Sequence, residues 1–166
     1  PAEDAPWPEP DPAFDDESVE LEERQVERLT EDVRDIIGVT DSDPDTIRVY
    51  VAADWKRDVF ETVVDNGDNV GAIMGQVMQD PDLRERGNDV NDLVQDLVDQ
   101  TRGRDESTLR AQLELDEVDT YERAADFLAR EFDADVEVFA EGDADIVDPA
   151  DRASKAIPFR PAVHLE

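Results

Sequence analysis

Cysteine is absent from this 166-residue sequence, and histidine occurs once, as His164. Without cysteine the chain can form no disulfide, no thiolate zinc site and no cysteine nucleophile. A single histidine cannot supply the two or three imidazoles that many catalytic metal sites use. The sequence therefore excludes the redox and metal chemistry that depends on these two residue types.

Positive charge is also scarce. The chain has 16 Lys and Arg residues against 47 Asp and Glu residues, a net charge of −31, and its only lysines are Lys56 and Lys155. Such self-repulsion destabilises a compact state in dilute buffer, but molar salt shortens the Debye length to roughly 3 Å. We interpret the acidic surface as that of a halophilic protein. A nucleic-acid mimic or a histone-binding tail is the alternative, but a tail would concentrate its acids, which here run along the whole chain.

Long apolar runs are missing as well. No stretch approaches the roughly 18 apolar residues of a membrane-spanning helix, and no basic leader precedes an apolar segment. We therefore expect no membrane partner and no secretory signal. We also expect the protein to be cytoplasmic and monomeric.

The apolar residues that are present recur with the periods of helices and strands. Residues 1–17 are predicted to form an extended or disordered Pro-rich acidic arm, and residues 18–40 one detached amphipathic helix. After a linker, residues 45–166 are predicted to be an α+β domain. In this domain about three short strands form a small mixed sheet packed by five or six helices. A brief helix is expected from Asp148 to Ala156.

No catalytic constellation is visible. Gly67, Gly71 and Gly75 are spaced along a helix and not in a phosphate-binding turn. The acidic run at residues 41–45 lacks the glycine and the distal glutamate of a calcium loop. We predict no catalytic residue, no metal site and no cofactor within this chain.

The few basic residues carry the binding prediction. Trp55, Lys56 and Arg57 open a helix after the first strand, Arg84 and Arg86 flank an inter-helix turn, and Arg102 and Arg104 flank Gly103. An aromatic ring beside cations can stack on a base while the cations contact phosphates. The alternative is structural: Trp55 covers the strand, and Lys56 and Arg57 pair with neighbouring acids.

Read in order, several segments resemble the leucyl-tRNA synthetases of the archaeal and eukaryotic type. These segments are "APWPEPD", "EERQVERLTEDVRDII", "DPDTIRVYVAADWK", "YERAADFLAREF", "ADVEVFAE" and the closing "PFRPAVHLE". They cover most of the chain, while residues 67–114 match only loosely. The composition agrees with a haloarchaeal source.

The resemblance implies a C-terminal fragment of a class I aminoacyl-tRNA synthetase. Residues 18–40 would be the last helix of the anticodon-binding helical domain, and residues 45–166 the C-terminal tRNA-binding domain. Such a domain would recognise the outer corner and long variable arm of leucine tRNA. ATP and Mg²⁺ would serve the full-length leucine-tRNA ligase, whose other domains are the second partner.

A net charge of −31 is a difficulty for a protein that binds a polyanion. Counterion release, which usually drives such binding, weakens steeply as salt rises. We therefore expect short-range contacts: stacking on unpaired bases and a few arginine-phosphate bonds. The rival hypothesis is a free-standing acidic halophilic adaptor that binds a protein partner through its helical faces.

Overall fold

A computed structural model of the chain describes residues 12–166, with side chains from residue 18 onward. The α-helices are α1 (Pro12–Thr40), α2 (Asp54–Asn66), α3 (Val70–Val77), α4 (Pro81–Arg86), α5 (Asn88–Thr101), α6 (Glu106–Leu113) and α7 (Glu117–Phe132). The strands are β1 (Thr46–Val51), β2 (Asp135–Ala140) and β3 (Ala162–Leu165). The predicted α+β class, with a small mixed sheet and six helices after the first, is confirmed.

The sheet has the order β2-β1-β3. Strand β1 pairs in parallel with β2, from Thr46 opposite Asp135 to Val51 opposite Ala140, and antiparallel with β3. The crossover from β1 to β2 contains helices α2 to α7, so the helical part of the molecule is an insertion between two adjacent strands. The predicted edge position of the last strand is correct, and its flanking prolines, Pro158 and Pro161, stay outside the paired residues.

The buried apolar residues of the described chain form two separate clusters. The sheet layer consists of β1, β2 and β3 with α1 and α7; its cluster is built from Leu29, Val33, Ile47, Val49, Val51, Tyr121, Leu128 and Val163. The helical layer consists of α2 to α6, and its cluster includes Phe60, Ile73, Val94, Leu97 and Leu109, with Phe159 from the C-terminal segment. The candidate binding residues lie mostly on the helical layer.

Helix α1 corrects two predictions. It begins at Pro12, so the predicted extended arm is wrong for residues 12–17; a proline at the first helical position lacks only an N–H that has no partner there. The remainder of the arm, residues 1–11, lies outside the described residues. The helix is also not detached, because Leu21 packs in the helical cluster and Leu29 in the sheet cluster.

The segment after β2 corrects another prediction. In place of a helix from Asp148 to Ala156, the chain forms only a 3₁₀ turn, Ala153–Lys155. Asp148 is not the N-cap, which is Arg152, but its two carboxylate oxygens accept the N–H groups of Arg152 at 2.7 Å and Ala153 at 2.9 Å. Asp151 adopts a positive φ of 54°, which is incompatible with a continuous helix.

Candidate nucleic-acid interface

Trp55 and Arg86, both in the predicted set, form a cation–π pair at the surface. Trp55 lies in the first turn of α2, half-buried against the helical cluster. The guanidinium of Arg86, exposed at the end of α4, lies over the indole with its carbon 4.5 Å from the ring centroid. Cation–π attraction holds this pair. The outer face of the guanidinium is planar and can itself stack on a base.

Lys56 is removed from the candidate set by its burial. Only 5% of the residue is exposed, and Nζ donates to the carbonyl oxygens of Ser154 at 2.9 Å and Ala156 at 2.7 Å. The third neighbour of Nζ is a carboxylate oxygen of Glu141 at 2.9 Å. Because an ammonium has three donors, none is left for a phosphate. Lys56 instead anchors the C-terminal segment to α2.

Arg57 also has a structural position. Its guanidinium donates to the carbonyl oxygen of Leu113 and lies over the ring of Phe159, 5.8 Å from the centroid. It therefore joins α2 to the end of α6 and to the C-terminal segment. The structural alternative for Lys56 and Arg57 thus agrees with the observed contacts, although their partners include carbonyls and a ring as well as an acid.

Glu117, which no sequence pattern singled out, lies beside Arg57. It is 2% exposed, and Oε1 accepts the N–H of Phe159 at 2.9 Å. Burial raises the pKa of Glu117 to about 7, while this hydrogen bond and the positive charge of Arg57 act in the opposite direction. Such a shift can mark a functional group, but this carboxyl is enclosed and is already used to hold the backbone.

Arg84 and Arg102 remain exposed. Nε of Arg84 donates to the carbonyl oxygen of Met78 at 3.0 Å, which leaves its two terminal nitrogens available. Arg102 approaches Asp99 at 3.5 Å, and the two side chains are 69% and 73% exposed. With a rise of about 1.5 Å per residue, α5 separates Arg86 from Arg102 by roughly 20 Å. The predicted residues thus form two groups, one at each end of α5.

Arg104 differs from its neighbour Arg102. It is half-buried, and burial, followed by the positive charges of Arg28 and Arg24, lowers its pKa. It lies just after the C-terminal end of α5 and lines a cleft together with Asp65, Asp68 and Glu106.

Three basic residues outside the predicted set share one cleft. Arg152, Lys155 and Arg160 line a space of about 360 Å³ together with Asp32 and Asp35. The sequence does contain a signal for this cleft, because three basic residues occur within nine positions of an otherwise acidic chain. Two aspartates on the opposite wall make this cleft mixed in charge and not simply basic.

Among the side chains that the structure describes, those of residues 18–166, no group of three or more His, Cys, Asp or Glu is arranged to hold a metal ion. Within residues 12–166 no helix is both long and apolar enough to cross a bilayer.

The architecture and surface just described are those of a small α+β module with arginines at the ends of one helix. No protein-family model matches the chain. Curated proteins do match it, and they belong to the aminoacyl-tRNA synthetases.

More narrowly, these relatives are archaeal leucine–tRNA ligases. The chain is 29% identical over 163 residues to the enzyme of Methanocaldococcus jannaschii, covering 98% of the chain and 16% of that enzyme. It is 30% identical to the Methanothrix thermoacetophila enzyme (98% and 17%) and 32% identical to the Pyrococcus abyssi enzyme (98% and 16%). The chain therefore resembles one part of the archaeal leucine–tRNA ligases over nearly its whole length, and spans about one sixth of their length. The family resemblance drawn from the sequence is confirmed. The haloarchaeal source remains a prediction.

Proposed function

We propose that this chain is a tRNA-recognition module of a leucine–tRNA ligase. In this role it helps to bind leucine tRNA through the outer corner and the long variable arm. The observation that carries the proposal is the similarity to leucine–tRNA ligases along 98% of the chain. The complete enzyme would join leucine to tRNA with ATP and Mg²⁺, both bound by other domains. A cytoplasmic, monomeric enzyme is the expected setting.

The surface at the N-terminal end of α5 supports this proposal. Arg84 and Arg86 are exposed there, and Arg86 is held over Trp55. Because molar salt suppresses long-range attraction to the polyanion, contact must come from stacking and direct hydrogen bonds. A guanidinium supplies both. We therefore place the RNA contact at Arg84 and Arg86, with Trp55 as the support of Arg86, and not at Lys56 or Arg57.

The test is tRNA binding by the complete enzyme in molar potassium chloride, with Arg84→Glu and Arg86→Glu as variants. We expect the affinity for leucine tRNA to fall by about tenfold for each variant, since a charged hydrogen bond is worth roughly 1.5 kcal/mol or more. Arg123→Glu is the matched control, because Arg123 is exposed on α7 and already paired with Glu22 and Asp119. Unchanged affinity in both variants would reject these contacts. Equal binding of leucine and non-leucine tRNAs would reject the variable-arm role.

The adaptor hypothesis has one observation in its favour. Between α1 and α7 runs a groove of about 690 Å³ lined in part by Val19, Val26, Ala124 and Phe127, and Val19 and Phe127 are 51% and 46% exposed. An apolar groove of this kind suits a protein surface. If the adaptor role were the correct one, Phe127→Ser would abolish partner binding and the chain would show no preference for leucine tRNA.

A further inference from the structure

A cleft of about 570 Å³ lies beside Trp55 and Arg86, against the N-terminal half of α5. Its volume is within the range of small-ligand sites. Two of the residues that line it, Lys56 and Glu141, form an ion pair at 2.9 Å, and Lys56 also bonds the backbone of the C-terminal segment. These bonds fix the wall contributed by α2 relative to the walls contributed by the chain after β2.

The remaining charges of the cleft are of both signs. Its exposed charged residues are Arg86, Lys155, Asp89, Asp92 and Asp96. The three aspartates are three and four residues apart, so they lie along one side of α5. None of these five residues forms an ion pair with another residue that the structure describes. Donors and acceptors that share one cleft are therefore both available to a ligand.

The side chains of the cleft define the chemistry of such a ligand. Arg86, held on Trp55 at 4.5 Å, presents the outer face of a planar guanidinium, on which a flat ring can stack. Ionised aspartates only accept hydrogen bonds, and the ammonium of Lys155 only donates them and attracts an anion. The ligand must therefore combine a flat ring, several N–H or O–H donors and a negative group. A nucleotide has all three.

Among the bases, guanine is the best match for a carboxylate. Its Watson–Crick edge carries two adjacent donors, N1–H and the 2-amino group, and the two oxygens of one carboxylate can accept both in parallel. Adenine and cytosine place a ring-nitrogen acceptor beside their amino group, and uracil places its single N–H between two carbonyl oxygens. In these three bases an acceptor would face a carboxylate oxygen.

We propose that this cleft binds a guanine nucleotide, with the base stacked on Arg86. Asp89 and Asp92, in the turns of α5 nearest to Arg86 in the chain, accept the two N–H groups of the base edge. Lys155 and Asp96 also line the adjoining cleft towards the C-terminal segment, so the phosphate lies at their end. There the phosphate contacts Lys155, and the donating ribose 2′-hydroxyl faces Asp96. The nucleotide can be an unpaired guanosine of bound RNA or a free guanine nucleotide; the first source rests on the proposed function.

The first experiment is an NMR titration of the full chain, labelled with nitrogen-15, in molar potassium chloride. Guanosine monophosphate should shift the indole N–H signal of Trp55 and the backbone signals of residues 88–96. Inosine monophosphate, which lacks the 2-amino group, should bind about tenfold more weakly, because one charge-assisted hydrogen bond is lost. The monophosphates of adenosine, cytidine and uridine should bind more weakly still. Equal affinities for all five nucleotides, or signal shifts confined to other parts of the chain, would overturn the proposal.

The acceptor role of the aspartates is tested by Asp89→Asn and Asp92→Asn. An amide in place of the carboxylate donates where the aspartate accepted. At least one of the two variants should lose about tenfold in affinity for guanosine monophosphate and gain affinity for xanthosine monophosphate, whose 2-oxo group accepts. Asp126→Asn, at an exposed position of α7 away from this cleft, is the matched control. An unchanged preference for guanine over xanthine in both variants would exclude the base-edge contact, since a merely structural role does not reverse a preference.

The phosphate position is tested by Lys155→Met. In the unaltered chain guanosine monophosphate should bind about fivefold more tightly than guanosine, the upper end for an exposed ionic contact. The variant should bind the two ligands equally. A difference that persists in Lys155→Met would contradict the placement of the phosphate.

The source of the nucleotide is tested with the complete enzyme and leucine tRNA. If the cleft holds a guanosine of the RNA, guanosine monophosphate weakens tRNA binding while adenosine monophosphate does not. If guanosine monophosphate binds the chain and leaves tRNA binding unchanged, the cleft takes the free nucleotide. Absence of tRNA binding together with a normal response to guanosine monophosphate would count against the proposed function while supporting the cleft.

Discussion

Arginines in the sheet layer and arginines at the N-terminal end of α5 make different contacts. In the sheet layer Arg34, Arg48 and Arg123 each pair with at least one carboxylate. At the end of α5, Arg84 donates to a carbonyl and Arg86 stacks on Trp55. Neither of these two pairs with an acid among the described residues. In an acid-rich protein, an arginine that its own carboxylates leave unneutralised is the one available to a polyanion.

The C-terminal segment holds the two layers together, and it does so with buried polar groups. Lys56 and Glu117 both bond its backbone, at Ala156 and at Phe159. Phe159 in turn packs edge-on against Phe60 of the helical layer, with ring centroids 5.2 Å apart. Together with α1, which contributes to both apolar clusters, these contacts position one layer relative to the other.

The contacts of the C-terminal segment with the two layers are called the junction below. The largest loss in the free energy of unfolding is expected there. Lys56→Met keeps the apolar stem but leaves the Glu141 carboxylate, 19% exposed, without its cation. Breaking a buried ion pair by removing one partner costs about 3 kcal/mol or more. We expect that loss in the free energy of unfolding, measured by denaturant titration in molar potassium chloride.

The control for Lys56 is the other lysine of the chain. Lys155 is exposed, so Lys155→Met should change the unfolding free energy by no more than about 0.5 kcal/mol. Similar losses in the two variants would mean that the bonds of Lys56 to the C-terminal segment contribute nothing.

A slightly smaller change in the free energy of unfolding is expected from the titration of Glu117, and it is seen only as a function of pH. Its pKa rises from 4.5 in the unfolded chain to about 7 in the folded one, so the folded state binds the proton more tightly. The resulting stabilisation is complete below pH 4.5 and is lost as pH rises to about 7. The loss is about 3 kcal/mol, at about 1.4 kcal/mol per pKa unit.

Glu117→Gln isolates this effect from the titration of the other acids. We expect the variant to match the unaltered chain near pH 4.5 and to exceed it in unfolding free energy above about pH 7. The amide oxygen can still accept the N–H of Phe159. A difference between the two proteins that does not vary with pH would show that Glu117 titrates normally.

The junction was also what the sequence could not predict. Apolar periodicity located helices such as Asp54–Asn66 and the three strands, because burial imposes its period on local sequence. Lys56, by contrast, contacts a carbonyl 100 residues away, Arg57 one 56 residues away, and Glu117 an N–H 42 residues away. Nothing near these residues in sequence reveals such partners, so the sequence leaves RNA contact and a structural role equally open for Lys56 and Arg57.

Short helices are the other part of the fold that the sequence does not predict. The sequence predicts an inter-helix turn at residues 81–86, where the structure has helix α4. Six residues with one buried side chain, Leu83, are too few to show the apolar period of a helix. Helix α4 nevertheless carries Arg84 and Arg86, the part of the predicted site that the structure leaves exposed. The scarcity of basic residues identified these two without any knowledge of the helix.

The smallest effects compare a sheet-layer arginine with an exposed arginine at the C-terminal end of α5, through Arg48→Met and Arg102→Met. Arg48 is 13% exposed and pairs with Glu137 at 3.0 Å and with Glu166, so a loss of about 1 kcal/mol in unfolding free energy is expected, at the upper end for such pairs. Arg102 and Asp99 are each more than two-thirds exposed, and a loss near zero is expected, within about 0.5 kcal/mol. The measurement is denaturant unfolding of both variants side by side in molar potassium chloride. If Arg102→Met costs as much as Arg48→Met, Arg102 is needed for folding, and its exposure is no argument for RNA binding.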